Sequence, residues 1–124
     1  MTTIQESGEN YLETIFVLSQ DNKQVRSVDI ALALDFSRPS VSRAIKNLRQ
    51  DGYITTDSDG FISLTESGKK IAESIYERHT IISNWLIALG VDKQIASNDA
   101  CKMEHVLSIQ SFEAIRSCID KCKV

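Results

Sequence analysis

Cys101, Glu104 and His105 stand at positions i, i+3 and i+4 of the run Cys101-Lys102-Met103-Glu104-His105. On a helix these three share one face. A thiol or thiolate, a carboxylate and an imidazole presented together form a workable donor set for a divalent transition metal. Asn10 and Glu13 are a second pair, two oxygen donors three residues apart. His79 is aligned with Ile75 and Ile82, on the apolar side of a long helical segment. The chain has only two histidines, and both fall where donors could converge. Taken singly, each residue has a plainer use: a histidine as a hydrogen-bonded core residue, Cys101 as a small buried apolar group, Glu13 as a solvated charge. Neither a Cys-x-x-Cys nor a His-Glu-x-x-His pattern occurs, so spacing alone suggests a metal without requiring one. Cys118 and Cys122 are also one turn apart, but with no histidine beside them they read as packing or surface thiols.

A second constellation lies between Phe36 and Gln50, which holds four basic residues and no acidic one in a chain of net charge −3. Such a local patch on an acidic chain suits a protein steered to one DNA site. Ser37, Arg38, Pro39, Ser40, Ser42, Arg43, Lys46 and Arg49 are its candidate DNA contacts. Arg43 is the strongest base reader, because a guanidinium can bond two guanine acceptors in the major groove. The serines can reach phosphates or bases, and Arg38, Lys46 and Arg49 fit phosphate contacts that position without specifying. A solvated charged helix is the bland alternative, and it weakens once the flanking elements are considered.

Those elements read as follows. Glu9–Leu18 is an amphipathic helix, and Asp21-Asn22-Lys23 a turn. Ser27 caps a short helix with Val28, Ile30, Ala31 and Leu34 apolar, and Asp35-Phe36-Ser37 is the next turn. Ser37 fits an N-cap with Pro39 in the first turn, and Val41, Ala44, Ile45 and Leu48 make a buried stripe that Gly52 ends. Tyr53–Thr56 and Phe61–Leu64 are strands of a hairpin turned at Asp57–Gly60. Thr65 caps a long helix with Ile71, Ile75, Ile82, Leu86 and Leu89 apolar, ended by Gly90. Helices at about Lys93–Val106 and Ser111–Cys122 follow. The fold class is mainly α with a small β-hairpin wing. Residues 1–64 form a winged helix-turn-helix DNA-binding domain, and 65–124 a helical metal-binding and dimerisation domain. The long apolar helix would leave a face exposed in a monomer, so a homodimer is expected.

The 124 residues allow one compact domain or two small interlocked ones. No apolar run approaches a bilayer span, and the N-terminus lacks the pattern of a secretory signal, so a cytoplasmic protein with no membrane partner is expected. Three cysteines, an odd number, fit thiols or ligands better than disulfides. An enzyme is not expected: no nucleophile, oxyanion loop or phosphate-cradling glycine motif accompanies Glu104, as a metallohydrolase would need. A winged-helix regulator that senses a small organic ligand without metal is the alternative reading.

The chain resembles the family of the diphtheria toxin repressor, the iron-dependent regulators and the manganese transport regulator. The resemblance is carried by Glu9-Asn10-Tyr11-Leu12-Glu13-Thr14-Ile15, Ser40-Val41-Ser42, Asp51-Gly52-Tyr53-Ile54, Leu64-Thr65-Glu66-Ser67-Gly68, Arg78-His79 and the run Ala100–Ser108. It is to the short form, without the SH3-like domain of the longer members. It implies that Cys101, Glu104 and His105 are metal ligands, with Glu13 and His79 beside them. Asn10 stands where relatives carry a metal-binding Met or Asp, and offers only a neutral carbonyl. It also implies that Ser37, Pro39 and Arg43 touch bases or a thymine methyl. Ser83 and Ser97 replace the Glu and His of an ancillary site, which points to one strong metal position per chain. The thiolate choice at Cys101 favours Fe²⁺ over Mn²⁺, with Co²⁺, Ni²⁺ or Zn²⁺ possible in vitro. The expected partner is double-stranded operator DNA of metal-homeostasis genes.

Overall fold

The computed structural model describes residues 6–20 and 24–122. They fall into two compact units, residues 1–73 and 74–124. The turn expected at Asp21-Asn22-Lys23 lies outside the described residues.

The first unit opens with α1 (Glu6–Ser19), which starts three residues before the expected Glu9. Tyr11, Leu12 and Ile15 are buried on one face of α1. Helix α2 (Ser27–Leu34) is not capped by Ser27: Arg26 is the N-cap, and its N–H donates to Asp29 Oδ2 at 2.9 Å. The carboxylate three residues on reaches back to the cap, one half of a capping box, since an arginine side chain has no acceptor to supply the other. Asp35 ends α2 in the left-handed region (φ 57°), and the Phe36 N–H returns to the Ala31 carbonyl. Helix α3 (Arg38–Gln50) begins as expected, with Ser37 Oγ accepting from the Ser40 N–H. Val41, Ile45 and Leu48 are buried and Ala44 is half-buried against the same core. Gly52, at φ 84°, lets the Tyr53 N–H turn back to the Leu48 carbonyl at 3.0 Å, which closes the helix.

Strands β1 (Ile54–Thr56) and β2 (Ile62–Leu64) pair antiparallel, Thr55 opposite Ser63, each shorter by one residue than expected. The Asp57 carboxylate holds the turn by accepting from the N–H groups of Asp59 and Phe61, both at 2.9 Å. Val25 adds a bridge to Ile62, so the hairpin is tied to the segment ahead of α2. Helix α4 (Glu66–Ala88) then starts under Thr65, whose Oγ accepts from the Gly68 N–H at 3.2 Å. Gly68 is obligatory here: a Cβ would run into the Tyr53 carbonyl oxygen. One core, from Tyr11 on α1 to Ala72 on α4, serves α1, α2, α3 and the hairpin. It fixes which face of α3 points outward.

The second unit holds the rest of α4, then α5 (Lys93–Val106) and α6 (Ile109–Cys122). Asp92 caps α5 by accepting from the N–H groups of Gln94 and Ile95. Ser108 caps α6, which therefore begins two residues before the expected Ser111. Ile82, Ala100 and Phe112, one from each helix, form its core. Leu89 is not part of the buried stripe: α4 ends at Ala88 and Leu89 is exposed. Among the described residues, no helix is long and apolar enough to cross a membrane.

Candidate metal centre and DNA-reading face

Helix α5 buries Ala96, Ala100 and Glu104, successive residues four apart. The first two are small and apolar. The third puts a carboxylate on the same buried stripe, with none of its surface exposed. A buried carboxylate is costly unless donors or a cation meet it. Here an imidazole nitrogen lies near each oxygen. His79 Nδ1, from α4, lies 3.1 Å from Oε2, and His105 Nε2 lies 3.3 Å from Oε1. The His105 side chain is itself fully buried. Cys101 is half-buried one turn back, and the Cys101 sulfur, a Glu104 oxygen and a His105 nitrogen all lie within 4.8 Å of one another. One soft and two borderline or hard donors at that separation fit a divalent transition metal. The structure thus brings together the three donor atoms that the spacing put on one helix face.

Two contacts were not expected from the sequence, although Ser97 and Arg78 themselves were named there. Ser97 Oγ lies 3.5 Å from His79 Nε2, so the ring is addressed at both nitrogens. Arg78 Nη1 donates to the carbonyls of Glu104 and Leu107. The sequence signals were the place of Ser97 at an ancillary position and the Arg78-His79 run. Ser83 is buried on α4. Asn10 and Glu13 are placed on α1, half-buried in the first unit. Cys118 is exposed.

The eight candidate DNA contacts, Ser37, Arg38, Pro39, Ser40, Ser42, Arg43, Lys46 and Arg49, are all exposed. Ser37 Oγ, besides capping, donates to Ser40 Oγ at 2.9 Å. Arg49 has a task the sequence did not suggest: its Nη1 donates to Thr56 Oγ1 at 3.1 Å, joining the end of α3 to β1. A cleft of about 340 Å³ between α3 and the hairpin is lined in part by Ser42, Lys46, Arg49, Thr56, Asp57 and Ser58. Lys46, Arg49 and the hydroxyls suit a phosphate backbone, whereas the Asp57 carboxylate, turned to the N–H groups of Asp59 and Phe61, does not.

Residues 3–60 match the model of the iron dependent repressor, N-terminal DNA binding domain, and residues 65–124 that of the iron dependent repressor, metal binding and dimerisation domain. An uncharacterized HTH-type transcriptional regulator of Methanocaldococcus jannaschii is 32% identical over 122 residues, covering 97% of this chain and 98% of that one. The transcriptional regulator MntR of Escherichia coli O157:H7 is 37% identical over 112 residues, 90% of this chain and 72% of that protein. The solved structure of the manganese regulator SloR superposes with a TM-score of 0.82 at 27% identity, covering 99% of this chain. The chain spans 57% of the length of that solved chain. The fold is thus that of winged-helix, metal-dependent transcriptional regulators. The chain belongs to the iron-dependent repressor family.

Proposed function

We propose that the protein is a repressor that binds operator DNA as a homodimer when loaded with Fe²⁺ or Mn²⁺, and controls genes of metal-ion homeostasis. Residues 1–64 serve DNA binding and 65–124 metal binding and dimerisation. The observation that carries this reading is the buried Glu104 carboxylate facing His79 and His105, with Cys101 one turn away. A bound cation would supply the positive charge that a buried carboxylate and thiolate call for. Cys101, Glu104 and His105 would hold it, with His79 beside them. The family resemblance adds Asn10 and Glu13 as oxygen donors from α1, the helix that packs against α2 and α3 in the DNA-binding unit. Ligands drawn from α1 would couple occupancy to the arrangement of the recognition helices, because the effector would bind the DNA-competent state better. In that state Arg43 reads bases while Arg38, Lys46 and Arg49 hold phosphates. The Cys101 thiolate supports Fe²⁺ over Mn²⁺. Relatives named as manganese regulators weigh the other way.

The test is an operator-binding titration with anaerobic Fe²⁺, with Mn²⁺ and with chelator. Tighter binding with metal is expected, and equal affinity in all three would overturn the reading. One observation favours an organic effector instead. A cleft of about 480 Å³ in the second unit, lined in part by Ile81, Trp85, Leu89 and Ile119, has the size and apolar character of a small-molecule site. If that reading holds, Cys101→Ala and His105→Ala leave DNA binding intact.

A further inference from the structure

Arg78 and His79 are consecutive on α4, and both side chains close on Glu104. His79 addresses the carboxylate, whereas Arg78 Nη1 donates to the Glu104 backbone carbonyl at 2.8 Å. The same nitrogen donates to the Leu107 carbonyl at 3.2 Å. Both carbonyls lie at the end of α5, where i→i+4 partners run out. A guanidinium there also meets the negative end of the helix dipole. Its carbon lies 5.1 Å from the centre of the Phe112 ring, so α6 supplies a third wall. The Glu104 carbonyl belongs to the peptide that leads into His105. Holding that oxygen therefore holds the link between two candidate ligands.

We propose that Arg78 is the positioning residue of the metal centre: by clamping the Glu104 and Leu107 carbonyls it sets the mutual orientation of the Glu104 and His105 side chains. The inference rests on the metal reading of that cluster. Attraction to the ion does not explain Arg78, since a guanidinium repels a divalent cation. Its contribution is alignment, made through the backbone. General support of the helix end is the competing explanation, and it makes no claim on the metal. The two separate if metal affinity is measured beside stability.

The experiment uses the full chain with Co²⁺ as the probe, and the variants Arg78→Met, Arg78→Lys and Ile82→Val. Arg78→Met is expected to bind Co²⁺ roughly tenfold or more weakly, as losses in the shell around ligands do. Its cobalt absorption at saturation is expected to differ from wild type. Arg78→Lys, which keeps a donor for the two carbonyls, is expected to restore most of the affinity. Ile82→Val, in the core of the second unit and outside the clamp, is expected to lower the melting temperature while keeping the wild-type affinity and spectrum. Should Arg78→Met fail to fold, Arg78→Leu takes its place. Wild-type affinity and spectrum in the Arg78→Met or Arg78→Leu variant would overturn the proposal. So would affinity losses in Arg78→Met and Ile82→Val that simply follow their melting temperatures. A wild-type chain that fails to bind Co²⁺ would instead overturn the metal reading itself, before any Arg78 variant is compared.

Discussion

Among single residues, Glu104 carries the most chemistry, because a buried carboxylate between two imidazoles has few purposes. Glu104→Gln keeps the shape and removes the charge. It is expected to weaken Co²⁺ binding at least about tenfold, read by titration against a competing chelator. Cys101→Ser is expected to abolish the thiolate-to-cobalt charge-transfer absorption while leaving the helix intact. Cys101→Glu replaces a soft donor with a hard one, so the ratio of Fe²⁺ to Mn²⁺ affinity is expected to fall. The thiol and imidazoles must give up protons to bind a metal, so apparent affinity is expected to drop as pH is lowered. The sequence displayed Cys101, Glu104 and His105 because helical periodicity alone puts them on one face. It did not display the contact of Arg78 with Glu104 or that of Ser97 with His79. Those contacts join residues 26 and 18 positions apart, and only the packing of α4 on α5 brings them together.

Local rules were legible at the elements where one side chain does the capping. Ser37, Thr65 and Gly52 each act where the sequence placed them. The start of α2 was misread because the stabilising group, Asp29, sits inside the helix and bonds backward to Arg26. The start of α6 was placed two residues late because Ser108 was not singled out as its cap. Gly68 lies in the first turn of α4, and glycine is a poor helix former. Its reason is tertiary, the close approach of the Tyr53 carbonyl. Gly68→Ala is therefore expected to destabilise the chain by about 1–3 kcal/mol or more, although alanine is the better helix former, as measured by urea unfolding. Ser37→Ala removes a cap that also braces Ser40, and is expected to cost about 1 kcal/mol in the same measurement. On α3, Arg43→Ala is expected to lose about 1–3 kcal/mol of discrimination at one base pair. Lys46→Ala is expected to weaken all sequences alike and to flatten the salt dependence by about one unit of slope.

For the molecule as a whole, an acidic total charge coexists with a recognition helix free of acidic residues. Operator binding by this chain is therefore expected to fall steeply with salt, while its affinity for bulk DNA stays low. The contact boundary at residue 73 lies within α4, where no loop or glycine announces it. One feature of the second unit also sets a clock. Glu104 and the His105 side chain are buried while Cys101 is half-buried, so complete release of an ion is expected to need local opening of α5. Stopped-flow release of a bound ion is thus expected to reach a plateau rate that no excess of chelator exceeds. A regulator built this way would average its surroundings over the lifetime of the closed helix, ignoring brief dips in supply and responding only to sustained scarcity.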